Sequence, residues 1–196
     1  NNTKLAHLNC GSNQLTSLDV SNNTELCRLH CTGNQLTSLD VSKNTSLYDL
    51  SCFNNQLTSL DVSNNTELTN LDCRGNHLTR LVVSNNTKLK ELRCASNNIG
   101  YLYLSKNTEL EFLNCSFNKI DQLNLSNNTK LTGLYCDDNR LTNLKLDDNT
   151  ALTNSDIVNV GSQSSTRRFT VNSYGSDTNN CWTLYVGTAG ASRIRN

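Results

Sequence analysis

Asn2-Thr3-Lys4-Leu5-Ala6-His7-Leu8-Asn9-Cys10-Gly11-Ser12-Asn13-Gln14-Leu15-Thr16-Ser17-Leu18-Asp19-Val20-Ser21-Asn22 is one unit of 21 residues, and six more follow it through Asp148 without insertion or deletion. Its cysteine returns as Cys31, Cys52, Cys73, Cys94, Cys115 and Cys136. A fixed period of this length marks stacked supersecondary units rather than one globular core. Each coil must lay its strand over the previous one, about 4.8 Å away. One extra residue would break that ladder, which explains the unbroken register.

The unit contains two half-copies. Leu5-x-x-Leu8-x-Cys10-x-x-Asn13 is answered by Leu15-x-x-Leu18-x-Val20-x-x-Asn23. In each half, the second Leu and the following Cys or Val are two residues apart, so they share one strand face. They point inward and their neighbours point out. The asparagines at 13, 34, 55, 76, 97, 118 and 139 form one column, and those at 23, 44, 65, 86, 107, 128 and 149 a second. A stacked amide can donate and accept, and so can satisfy buried backbone groups where the chain bends. The Thr after each asparagine of the second column opens a turn. The expectation is a parallel β-solenoid with two sheets back to back, Asn ladders and little or no α-helix.

Both halves have the L-x-x-L-x-L-x-x-N form of a leucine-rich repeat. The chain resembles the leucine-rich repeat family, and within it the bacterial 21-residue nested (IRREKO-type) class, over roughly residues 2–154. The resemblance implies a parallel β-solenoid arc. It also implies an extracellular or cell-surface location and a role in binding other macromolecules.

The apolar share is 35%, low for a globular domain, as a thin core lined with asparagine requires. Formal net charge is +0, so no phosphate-seeking, nucleic-acid-binding surface is indicated. No run reaches transmembrane length, so no membrane insertion is expected. The chain begins inside a repeat, without the polar cap a solenoid end needs. The expectation is a piece of a longer protein, whose open first coil would expose Leu5, Leu8, Leu15 and Leu18 to end-to-end self-association.

The repeat decays after Asn149-Thr150-Ala151-Leu152: Ser155 stands where Leu belongs and Ile157 where Cys belongs. Phe169-Thr170-Val171 and Trp182-Thr183-Leu184-Tyr185-Val186 alternate like strands. Between them, residues 172–180 have a loop composition. The expected division is seven repeats and the start of a degenerate eighth over 1–154, a C-terminal β cap over 155–186 and a linker or tail over 187–196, with the first strands of a next domain as the alternative to a cap.

Nine cysteines raise disulfides or a metal site, and the period argues against both. Ladder neighbours come within bonding range, but their Cβ vectors run parallel, whereas a disulfide needs a torsion near 90°. The ladder thiols are read as small core hydrophobes, with Cys27 and Cys181 off the ladder. No cofactor is expected. Asp19, Asp40 and Asp61 stack like charges about 5 Å apart. Ser and Thr neighbours or water would balance them, with a bound Ca²⁺ left open there and at Asp137, Asp138, Asp147 and Asp148.

Nothing in the chain resembles catalytic machinery: there is no paired acid and base, no nucleophile beside a His and no phosphate loop. The informative contrast lies between the two outward faces. On the second sheet, Ser17, Ser38 and Ser59 repeat, and so do Asp19, Asp40 and Asp61; Arg80, Tyr101, Tyr103 and Lys145 intrude only later. On the first sheet nearly every coil differs. The columns there read His7, Arg28, Asp49, Asn70, Glu91, Phe112, Gly133; then Asn9, His30, Ser51, Asp72, Arg93, Asn114, Tyr135; then Gly11, Thr32, Phe53, Arg74, Ala95, Ser116, Asp137.

Tandem duplication makes copies alike, so a face that diverges beside one that does not has been released or selected. Exposed aromatics and arginines, including Phe117, favour selection, because such residues dominate protein–protein hot spots. The expected partner surface is Arg28, His30, Tyr48, Asp49, Phe53, Asp72, Arg74, Glu91, Arg93, Phe112 and Tyr135. The expected ligand is a protein or peptide, with a glycan as the alternative on the same sheet. The competing reading is a structural stalk with no partner on either sheet.

Overall fold

A computed structural model describes residues 2–146, 148–149, 151–152, 158–159 and 170–172. Its strands are β1 (His7–Asn9), β2 (Arg28–His30), β3 (Asp49–Ser51), β4 (Asn70–Asp72), β5 (Glu91–Arg93), β6 (Phe112–Asn114), β7 (Gly133–Tyr135), β8 (Asn143–Lys145), β9 (Val158–Asn159) and β10 (Thr170–Asn172). No α-helix occurs among the described residues. Strands β1 to β7 and β9 form one parallel sheet in sequence order, and β8 pairs with β10 in a second.

The register follows the repeat. Leu8 pairs with Leu29, Leu29 with Leu50 and Leu50 with Leu71, and the same step runs on to Leu113 and Leu134. The step changes where the sequence decays. Leu134 pairs with Val158 rather than with residue 155. Thr170–Asn172 is a strand near the expected 169–171, paired with β8. Its expected hairpin partner, 182–186, lies outside the described residues, as do the tail and Cys181.

Both half-repeats bury their apolar positions. In the fourth coil, Leu68, Leu71, Cys73, Leu78, Leu81 and Val83 are all at most 4% exposed. The two halves differ in backbone pairing. The first forms a continuous ladder, whereas the second forms no strand before β8. There one backbone bond joins each pair of coils, such as His77 N–H to Leu57 C=O at 2.8 Å or Asn98 N–H to Leu78 C=O at 2.8 Å.

Asparagines supply what the second half lacks. Asn76 donates from Nδ2 to the carbonyls of Cys52 and Cys73, both at 3.1 Å, and to that of Arg74 at 3.2 Å. Its Oδ1 accepts the Leu57 N–H at 3.0 Å. The pattern repeats at Asn34, Asn55, Asn97, Asn118 and Asn139. In the second column, Asn86 donates to the Val62 carbonyl at 2.9 Å and the Asn65 carbonyl at 2.8 Å. Its Oδ1 has no protein partner among the described residues.

Cys10, Cys27, Cys31, Cys52, Cys73, Cys94 and Cys115 are free thiols. Burial pushes the thiols of Cys31 and Cys136 up to about 12. It raises Cys52, Cys73, Cys94 and Cys115 well above the ordinary thiol value. The thiolate is the reactive species, so these sulfurs are chemically quiet. Cys27 is only partly buried, and its thiol donates to the Glu25 carbonyl at 3.3 Å. In native protein at pH 8, iodoacetamide is expected to modify Cys27 before any of the six buried ladder cysteines. Mass mapping that found Cys73 alkylated first would contradict a closed core.

Candidate functional site

The first sheet turns the middle residue of each strand inward, so its two neighbours and the residue after Cys project outward. The structure gathers most of the expected surface into three clusters, each built from one arginine, one aromatic ring and one carboxylate of adjacent coils.

In the first cluster, Arg28 stacks over the Tyr48 ring at 5.5 Å and donates to its hydroxyl at 3.0 Å. Arg28 Nε also lies 3.0 Å from Asp49 Oδ2, which His30 Nε2 meets at 3.1 Å. In the second, Arg74 lies over Phe53 at 5.3 Å and forks onto Asp72 through Nε at 2.9 Å and a terminal nitrogen at 2.6 Å. The hydrogen bonds that it donates to Asp72 raise the Arg74 guanidinium above its ordinary value. In the third, Arg93 pairs with Glu91 and stacks over Phe112 at 4.8 Å. Glu91 also accepts from Asn70 Nδ2 at 3.0 Å, and Phe112 meets Tyr135 at 5.7 Å, tilted by 48°.

Gly133 belongs to the third cluster. A Cβ on Gly133 would stand 2.7 Å from the Phe112 ring, so the glycine gives that ring room to lie across the next coil.

The sequence marked these residues as outward and varied. It did not show that the charges of this face neutralise one another in place. Every arginine of these clusters is held by its own carboxylate, so the clusters offer ordered aromatic and guanidinium planes rather than free charge.

Between the second and third clusters lies a depression of about 480 Å³ whose lining includes Phe53, Arg74, Ala95, Ser116, Phe117, Tyr135 and Asp137. Small residues make the floor, since Ala95 and Ser116 occupy the column that carries Phe53, Arg74 and Asp137 in other coils. Phe117 is 54% exposed. It was legible as an exposed aromatic but not as part of a concavity, because only the juxtaposition of coils creates one.

On the opposite face, Asp19 Oδ1 accepts the Ser21 N–H at 2.9 Å, and Asp40 and Asp61 repeat the bond. Hydrogen bonds from Ser21, Ser42 and Ser63 hold these carboxyls below their ordinary range. The Asp column is thus a set of turn caps. Asn124 restores the cap to Ser126 at 3.0 Å, but Val82 and Tyr103 occupy the same column and cannot accept. Val82, Tyr101 and Tyr103 are 48%, 60% and 77% exposed.

The functional domain of InlJ from Listeria monocytogenes, described as including a cysteine ladder, matches with TM-score 0.78 and 44% identity over 89% of this chain. That likeness joins the unbroken period of 21, the parallel sheet and the buried Cys and Asn columns. The chain is a leucine-rich repeat solenoid, and its repeat of 21 residues fits a bacterial member of that family. A Leptospira interrogans leucine-rich repeat protein matches at TM-score 0.73 and 25% identity over 87% of the chain. Internalin C2 of L. monocytogenes shares the fold at TM-score 0.77 and 23% identity over 93%. This leucine-rich repeat chain spans 37% of the InlJ domain, 45% of the Leptospira protein and 80% of internalin C2. No family model matches the chain, and no curated protein does. Among the described residues, no helix is long and apolar enough to cross a membrane.

Proposed function

We propose that this leucine-rich repeat chain is a non-enzymatic recognition module of a bacterial surface or secreted protein, binding a protein or peptide through its first sheet. One observation carries the reading. The face that varies from coil to coil holds three ordered arginine–aromatic clusters, with a depression between the second and third, while the opposite face of the first three coils repeats the same Ser and Asp. Aromatic and arginine side chains already fixed by neighbours lose little entropy on binding, which favours them as anchors. The internalin and leucine-rich repeat neighbours support an interaction module of this kind.

The test is a pull-down from host-cell and environmental extracts with the parent protein, a Phe53→Ala/Arg74→Ala variant and a Tyr101→Ala/Tyr103→Ala variant. The first double substitution removes the second cluster and is expected to weaken a captured partner at least about 30-fold, the scale of one strong hot spot. The second is expected to leave affinity unchanged. Equal recovery by all three proteins would reject this placement.

A second reading, a stalk that assembles through the other face, is favoured by the exposed Val82, Tyr101 and Tyr103. It requires the opposite result: self-association abolished by the Tyr101/Tyr103 pair, with no partner on the first sheet.

A further inference from the structure

The residue two places after the ladder cysteine is left-handed in coil after coil. Ser12, Asn54, Ser96 and Asp138 have φ of 55°, 52°, 55° and 49°, and Gly33 and Gly75 have φ of 60°. Glycine takes this conformation freely, and Asn and Asp are enriched in it. Phe117 occupies the same position with φ 54°. A bulky side chain is disfavoured there, and burial of the ring does not compensate, because Phe117 is 54% exposed. A strained backbone that presents an exposed ring is the kind of outlier from which a functional role is argued.

The surroundings identify what that ring meets. Phe117 shares the depression with Tyr135 and Asp137 at its C-terminal end and with Arg74 at its N-terminal end, over the floor of Ala95 and Ser116. The Arg74 charge is already met by Asp72. The Asp137 carboxylate accepts from the Ser116 hydroxyl, and among the described residues no Lys, Arg or His forms an ion pair with it. The uncompensated charge of the depression is therefore negative, and it lies beside two aromatic rings. Elsewhere on this sheet the protein answers aromatic plus carboxylate with an arginine of its own, three times over.

We infer that the depression is a receptor for one cationic side chain, arginine or lysine, of a peptide segment lying across coils four to seven. Phe117 and Tyr135 supply the π faces, and Asp137 supplies the charged acceptor. Ala95 and Ser116 leave the room. This rests on the reading of the first sheet as a protein- or peptide-binding face and adds the residue class it selects.

The experiment pans a random peptide phage library against the whole chain, then measures synthetic versions of the enriched sequences against variants. Enriched peptides are expected to share Arg or Lys at one position, and replacing that residue by citrulline or norleucine is expected to cost about 10-fold in affinity. Phe117→Gly and Asp137→Asn are each expected to weaken binding about 10-fold, while Phe117→Trp retains it. Gly33 and Gly75 fill the equivalent position, so Phe117→Gly is expected to keep the Tm or raise it.

A Tm lowered by more than about 4 °C, the scale of 1 kcal/mol or more in a chain of this size, would make Phe117 a structural brace and overturn the inference. Enriched peptides that are acidic or purely apolar would overturn it too. So would peptides sensitive to Phe53→Ala but indifferent to Phe117→Gly and Asp137→Asn, and that result would leave peptide binding by the first sheet standing. A folded chain that enriches no peptide at all would reject both.

Discussion

Between pH 9 and pH 10 the protein is expected to lose about 6 kcal/mol of folding stability, enough to unfold a typical domain. The cause is the cysteine ladder. Burial raises six thiols far above the ordinary value of 9.0, those of Cys31 and Cys136 to about 12 and those of Cys52, Cys73, Cys94 and Cys115 well upward. A group whose folded pKa is raised contributes stability that is complete below its unfolded pKa. That stability is lost as pH rises toward the folded value. In this window the unfolded chain releases protons that the folded chain keeps. Each thiol then costs about 1 kcal/mol over the unit from 9 to 10 and approaches about 1.4 kcal/mol per unit above it.

The measurement is a series of thermal melts from pH 7 to 10.5 under reducing conditions. The midpoint should hold near neutrality and fall steeply above pH 9. Val occupies the matching place in the second half-repeat, at Val20, Val41, Val62 and Val83, so it can replace a ladder thiol. The Cys73→Val/Cys94→Val variant should lose about a third of the alkaline slope, two of six thiols. A slope unchanged in that variant would show that other groups set the alkaline limit.

The burial behind this effect was readable from the sequence. A cysteine that returns at one period, two residues after an inner Leu, can only stand on the inward face of a strand. The asparagine columns were readable on the same ground. The period could not specify how the second half-repeat pairs. Inner Leu and Val spacing is the same in both halves, yet only the first forms a continuous ladder of strands. On the other face, single backbone bonds and Asn side chains join the coils.

The candidate site was legible in part. Alternation placed Arg28, Arg74 and Arg93 outward beside aromatic and acidic neighbours. Long side chains then choose partners across coils by rotamer, and strand alternation carries no information on that choice. Hence the mutual neutralisation of Arg74 with Asp72, and of Arg93 with Glu91, appears only in three dimensions. The left-handed column left a signal that could have been used. Ser12, Gly33, Asn54, Gly75, Ser96 and Asp138 are turn-type residues in one register position. Against that company Phe117 is an anomaly visible in the sequence.

Replacing Asn76 by Ala is expected to destabilise the protein by about 3–5 kcal/mol, whereas the same change at Asn86 costs about 1–2 kcal/mol, by the value of hydrogen bonds to buried backbone groups. Both side chains are almost fully buried, at 4% and 0% exposure, so side-chain area alone predicts similar losses. Their hydrogen bonding separates them. Asn76 serves three carbonyls and one N–H, and that N–H, on Leu57, has no other route to a partner inside the bend. Asn86 serves two carbonyls and carries an Oδ1 with no protein partner, so the parent side chain already bears a desolvation cost that Ala removes. Asn76→Asp separates the two roles of the amide further. It keeps an acceptor for Leu57 but sets a carboxylate against the carbonyls of Cys52 and Cys73, and is expected to be worse than Ala. Denaturant titrations of the three variants with the slope held in common give the comparison. Equal losses at Asn76 and Asn86 would mean that burial, rather than the satisfied ladder, is what the repeat retains asparagine for.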